Sequence, residues 1–258
     1  MKPRIILYYQ TFYSLDKIIN NNSSKNITHI HLSSIHFGID DKNLKYIHLN
    51  NNSPYDKKFN NVWKQLNILD NLGIKIILMI GGAGGAFTDL FNDFNTYYKL
   101  LYDLIKNKNI IKGIDLDIEE TVKLDNVKML INRIKKDFGQ EFIISLAPVQ
   151  SSLEYDYNGL GGFIYKDLLN SPEGKLIDYF NGQFYYDYSL SAYNKVISNK
   201  YNPEKIVIGM LGKDKQQMEN NYNEIKKIYE KYGEKFGGVF LWEYYMYPDF
   251  VNDILKIL

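Results

Sequence analysis

Lys112-Gly113-Ile114-Asp115-Leu116-Asp117-Ile118-Glu119-Glu120 is the stretch that decides how this 258-residue chain is read. Side chains on a strand alternate between faces, so Asp115, Asp117 and Glu119 project one way and Ile114, Leu116 and Ile118 the other. Neighbouring acids in such a row have Cα atoms roughly 6 to 7 Å apart, close enough for their charges to interact. Three carboxylates on one face are costly to bury unless one keeps its proton or each finds donors. Crowding of like charge raises the pKa of one member, and a carboxylic acid still protonated near neutral pH is able to donate to a glycosidic oxygen. Glu119, the outermost of the row, is the acid to which the sequence assigns that proton.

Outward from this segment, short apolar runs alternate with longer amphipathic ones, the pattern of repeated β-α units around a parallel sheet. Eight strands are predicted, over residues 4–9, 28–37, 74–80, 111–118, 142–147, 179–185, 205–210 and 238–242. Helices are predicted over 56–72, 89–107, 122–138, 214–232 and 250–258; Val62, Leu66, Leu69 and Leu72 show the three- and four-residue spacing of an apolar stripe. Gly73 fits a C-cap after the helix over 56–72. The polar segments 20–26 and 40–56 read as surface loops. Length and pattern together predict an α/β fold, a single-domain (β/α)8 TIM barrel spanning 1–258, with the acidic face inside and Glu119 at the C-terminal mouth where barrel enzymes place their chemistry.

Composition narrows the function classes. Thirty-one basic against 30 acidic residues give a formal charge of +1, with no electrostatic footprint for nucleic acid or an anionic membrane. With no cysteine, disulfides, thiolate nucleophiles and cysteine zinc sites are excluded. The start, Met1-Lys2-Pro3-Arg4 and a short apolar run over 5–9, lacks a small-residue cleavage site, so a cytoplasmic location or release without a conventional signal peptide is expected. The 23 tyrosines reflect a bias toward Asn, Lys, Ile and Tyr along the whole chain, so position rather than number has to identify a sugar-stacking ring.

Other constellations lead elsewhere or nowhere. The glycines over 81–85 match neither a dinucleotide fingerprint nor a P-loop, and fit a tight turn beside a ligand. His29 and His31 have the same-face spacing of a chelate but no evident third ligand, so no metal is expected. No G-x-S-x-G elbow exists. A lyase using a lysine in the barrel mouth finds no candidate, because Lys75, Lys112 and Lys205 sit near strand starts.

The run Gly113-Ile114-Asp115-Leu116-Asp117-Ile118-Glu119 resembles the fourth-strand signature of glycoside hydrolase family 18, the chitinase family. Leu78-Met79-Ile80-Gly81-Gly82-Ala83-Gly84-Gly85 resembles the family's third-strand ending, Gln183-Phe184-Tyr185 its sixth-strand motif and Leu241-Trp242 the end of its eighth strand. The resemblance implies a retaining hydrolase of β-1,4 N-acetylglucosamine linkages, in chitin or chito-oligosaccharides, acting by substrate-assisted catalysis. Glu119 would protonate the leaving oxygen while the sugar's 2-acetamido carbonyl attacks the anomeric carbon to form an oxazolinium ion. Asp117 would hold the acetamide N–H, Asp115 would tune Asp117 from below, and Tyr185 would steady the acetamide oxygen. Gln183, Trp242, Tyr8, Gly81 and Gly82 are the expected substrate-binding residues, with Trp242 as a floor and a cis peptide bond after it.

The resemblance further implies an N-acetylglucosamine-containing oligosaccharide or polysaccharide as partner, with no cofactor, nucleic acid or membrane, and a monomer. An endo-β-N-acetylglucosaminidase acting on N-glycans and a non-catalytic lectin or inhibitor barrel are the alternatives. Two positions depart from the family pattern: Lys112 stands where the signature usually opens with aspartate, and Met79 where a serine often precedes the glycines. Both lie outside the proton-transfer set, so altered internal hydrogen bonding rather than lost chemistry is expected.

Overall fold

A computed structural model describes residues 2–20, 25–213 and 215–258. Nine strands form one sheet: β1 (Arg4–Tyr9), β2 (His29–Ile39), β3 (Lys45–Leu49), β4 (Lys75–Gly81), β5 (Ile111–Asp117), β6 (Ile143–Leu146), β7 (Tyr179–Gly182), β8 (Ile206–Leu211) and β9 (Gly238–Trp242). Leaving β3 aside, the eight others run parallel in the order β1-β9-β8-β7-β6-β5-β4-β2, and β1 pairs with β2 to close the ring. This is a (β/α)8 barrel, and the eight predicted strands are its staves.

Alternation along each stave builds two cores. Ile114, Leu116 and Ile118 point outward and join the large apolar layer between strands and helices. Ile6, Tyr8, Ile77, Met79, Ile143, Tyr179, Val207 and Phe240 point inward and form a second, smaller cluster that fills the barrel. Asp115 and Asp117 share that inward face and are buried.

The outer helices follow the predicted stripes with local differences. The region 56–72 begins with a 3-10 turn, Lys57–Phe59, before the helix Asn60–Asn71. The single helix expected over 89–107 is two, Ala86–Asn92 and Phe94–Asn107, broken at Asp93, whose side chain caps the second by accepting from Thr96 N at 3.3 Å. Helices Leu124–Phe138 and Lys215–Tyr232 match their predictions, and the final helix is shorter, Phe250–Ile254. Asp214, predicted as a helix start, and residues 21–24 of the predicted loop lie outside the described residues.

The loop expected over 40–56 needs correction. It contains β3, which pairs antiparallel with β2 and sets His48 opposite His36. Only Ile47 and Leu49 of this strand are buried, so its apolar signal is too short to separate from a loop. The sixth stave also ends earlier than predicted: β7 stops at Gly182, leaving Gln183 and Tyr185 beyond the strand at the mouth.

Candidate active site

The acidic row enters the barrel on β5, between β4 and β6. Register places Gly81 opposite Asp117, Met79 opposite Asp115, and Ser145 of β6 opposite Asp115 on the other side. Gly81 has φ +95°, and a Cβ there would lie 2.3 Å from the carbonyl oxygen of Asp117. Only glycine fits this turn. The chain then lets Gly82 N donate to that same carbonyl at 2.8 Å, locking the glycine turn to the acidic strand.

Asp115 lies deepest and is fully enclosed. Its Oδ2 accepts from Tyr8 OH at 2.6 Å, and its Oδ1 accepts from Ser145 Oγ at 2.6 Å and Asn181 Nδ2 at 3.1 Å. His31 Nδ1 is 3.3 Å from Oδ2. Burial alone would push this carboxyl up; the nearby His31 imidazole and the donors Ser145 and Tyr8 outweigh it and hold the pKa below the ordinary aspartate value.

Asp117, one step toward the mouth, is also buried but is far less supplied. Its Oδ1 accepts from Gln183 Nε2 at 3.1 Å. Burial, then the charges of Glu119 and Asp115, push its pKa well above the ordinary value, opposed by the hydrogen bond from Gln183. The upward pressure from burial and charge crowding therefore falls on the middle acid of the row. The reason is depth: Asp117 has an acid on each side of it and little access to water.

Glu119 lies just beyond the end of β5 and is half-buried. Gln183 Nε2 is within reach of three acceptors, Asp117 Oδ1, Glu119 Oε1 at 3.3 Å and the Ala147 carbonyl at 2.9 Å, so a single amide ties the two outer acids together. Tyr185 is held as a phenol: burial, and then the charges of Asp117 and Glu119, push its pKa well above 10. Its ring meets Phe240 edge-on at 6.2 Å.

A cavity of about 330 Å³ opens above the row, lined by Asp117, Glu119, Gln183, Tyr185, Trp242, Gly81 and Gly82 together with Gln10, Ser34, Met79, Ala83 and Leu211. Seven of the nine predicted site residues thus meet in one hollow. Asp115 lies beneath it, as expected of a residue acting from below. Tyr8 requires correction as a substrate contact: it does not line the cavity, and its hydroxyl is spent on Asp115 while accepting from Asn181 Nδ2 at 2.9 Å. Its ring packs 5.3 Å from that of Trp242. The peptide bond after Trp242 is cis, as expected; a second cis bond joins Ser33 and Ser34.

Of the two departures from the family pattern, Lys112 is exposed at the far end of β5, where it donates to the Asn109 carbonyl and lies 3.6 Å from Asp70. It cannot reach the cavity. Met79 lines the cavity. His31, which has the spacing of a chelate with His29, instead faces Asp115 and contacts Tyr179 OH at 3.2 Å, while His29 Nδ1 sits 2.7 Å from Thr28 Oγ1.

Ser145, Asn181, Gln10 and Ser34 were missed in the sequence. Asn181 was readable, since it stands two before Gln183 and four before Tyr185 on the same alternating face. Gln10 relates to Tyr8 in the same way.

A closed barrel with paired carboxyls, an amide, a phenol and an indole around one cavity at its C-terminal mouth defines a glycosidase class of site. The sequence profile of glycosyl hydrolases family 18 matches residues 4–216. The chain belongs to that family, and it is a glycosidase of chitinase-like build. A search of the curated proteins finds no match. Among solved structures, the chitinase ChiC from Aspergillus fumigatus is 29% identical with a TM-score of 0.85, covering 94% of this chain and 92% of that one. A fungal family 18 endo-beta-N-acetylglucosaminidase is 32% identical with a TM-score of 0.81, over 94% of this chain and 90% of that one. A xylanase-alpha-amylase inhibitor protein, XAIP-I, shares the fold at 19% identity and a TM-score of 0.68, covering 99% of each chain.

Proposed function

We propose that this chain, acting as one catalytic barrel, hydrolyses β-1,4 linkages of N-acetylglucosamine-containing glycans with retention, using the substrate's own acetamide as nucleophile. The observation that carries this reading is the convergence of Asp117, Glu119, Gln183, Tyr185 and Trp242 on one cavity of about 330 Å³.

In this mechanism Trp242 forms the floor under the reactive sugar, and Tyr185, kept protonated, donates to the acetamide oxygen and aims it at the anomeric carbon. Asp117 holds its proton more tightly than an ordinary aspartate. When the acetamide N–H enters, it needs an acceptor, and positive charge then develops on the oxazolinium beside it; both favour the ionised form of Asp117. The proton passes to Glu119, held near Asp117 by the shared Gln183 amide. Glu119 gives it to the leaving oxygen, and on the return step takes a proton from the water that opens the oxazolinium. Asp115, saturated with donors, stays ionised below and maintains the pressure on Asp117.

A second substrate within the same chemistry, the N-glycan core, is favoured by the 32% identity to an endo-beta-N-acetylglucosaminidase over most of the chain. A fluorogenic chitotrioside and a high-mannose glycopeptide, each offered to the wild type and to Glu119→Gln, test the proposal. Release from one or both by the wild type is expected, with a loss of about 10² to 10⁴ in kcat for the variant. Binding without release in both proteins would mean a lectin.

A further inference from the structure

Glu243 directly follows Trp242, is buried, and takes no part in the chemistry proposed above. Its Oε2 accepts the backbone N–H of Gln10 at 2.9 Å and of Thr11 at 3.0 Å, and its Oε1 accepts the Thr11 hydroxyl. Three donors from two consecutive residues on one enclosed carboxylate make a strong tether, since hydrogen bonds to an ionised acceptor are roughly twice as strong as neutral ones. The tether continues. The Gln10 carbonyl accepts from Asn50 Nδ2 at 3.0 Å; Asn50 Oδ1 accepts from Ser34 N at 3.2 Å, and Asn50 N donates to Ser34 O at 2.9 Å. One polar chain therefore runs from the end of β9, across the end of β1, to the β2–β3 pair.

The residues it holds are the ones that join two hollows. Gln10, Ser34 and Ala83 line the acid cavity and also a neighbouring hollow of about 530 Å³, which Thr11, His36, His48 and Asn50 help complete. Glu243 itself lines neither. Removing it acts on a ligand only through the segment it pins.

We propose that Glu243 is a positioning residue: by fixing Gln10 and Thr11, and through them Asn50, it sets the wall shared by the two hollows and so the strength with which sugar units beyond the cleaved one are held. This rests on the reading of the acid cavity as the reaction site, and that reading is tested separately by Glu119→Gln.

Calorimetry in the inactive Glu119→Gln background, with and without Glu243→Gln, reads the tether without turnover. The glutamine keeps the shape but removes the negative charge from the acceptor and puts an NH2 in place of one of its two oxygens. Loss of one hydrogen bond to a charged partner disfavours the pinned conformation by about tenfold or more, and binding that needs that conformation weakens by up to the same factor. That weakening is expected for chitotriose, with less than about a twofold change for N-acetylglucosamine alone. In the otherwise wild-type enzyme, Glu243→Gln is expected to raise KM for a chitotrioside while kcat stays within about threefold. Equal weakening for both ligands, a fall in kcat at unchanged KM, or no change at all would overturn the proposal. If Glu243→Gln does not fold, Asn50→Ala removes the next link and is expected to show the same length-dependent loss; a length-independent loss there is equally contrary.

Discussion

Asp115 and Asp117 differ by two residues, share one face of one strand and are both buried, yet the fold treats them oppositely. Asp115 collects hydrogen bonds from Tyr8, Ser145 and Asn181 and is held below its ordinary pKa. Among the described residues Asp117 receives one side-chain donor, from Gln183, and it is pushed well above its ordinary pKa. Enclosure alone does not decide ionisation; the His31 imidazole and the donors arriving from neighbouring strands do. The floor of the barrel stabilises a charge, and the layer above withholds that support so that a proton stays in play.

Asp117→Asn gives the largest effect on this contrast. It removes the group that ionises during the reaction, and kcat is expected to fall by about 10² or more. Stability should move the other way. A carboxyl whose folded pKa is raised contributes stability that is present below its unfolded value, about 3.9, and is lost as pH rises through the folded pKa. Melting curves are therefore expected to show the variant more stable than wild type at neutral pH, with the gap closing below about pH 4. A variant less stable at pH 7 would contradict the assignment of the strained acid.

Tyr8→Phe attacks the floor instead. It deletes one of the short donors to Asp115 without touching the cavity, so a stability loss of about 1 to 3 kcal/mol is expected. Asp115 has a depressed folded pKa, and its contribution is present above the unfolded value and lost as pH falls through the folded one. Acid unfolding should accordingly begin at higher pH in the variant, with a smaller fall in kcat than for Asp117→Asn. Denaturant titrations across the acid range check the first point, and steady-state kinetics the second.

What the residues reveal by themselves follows from the same contrast. The order of the staves and the inward face of β5 were legible, because alternation and apolar runs are local properties of a strand. The partners that separate Asp115 from Asp117 were not, because Tyr8, Ser145 and Asn181 come from three other strands and reach Asp115 only once the barrel closes. Tyr8 shows the limit: its strand end put it near the pocket, but only the closed ring directs its hydroxyl down to Asp115 rather than into the cavity. Glu243 was invisible for a like reason, since its donors lie more than 230 positions away in sequence. Strand β3 escaped because two buried residues make too short a pattern.

The central claim is that burial and crowding raise the pKa of Asp117 while the groups around Asp115 lower that of its neighbour. Carbon-13 NMR of aspartate-labelled protein, with Asp117→Asn and Asp115→Asn used to assign the two carboxyl signals, follows each through a pH titration. Asp117 is expected to titrate well above the ordinary carboxylate range and Asp115 below it. A titration of Asp117 at or under the ordinary range, or of Asp115 above Asp117, would contradict it.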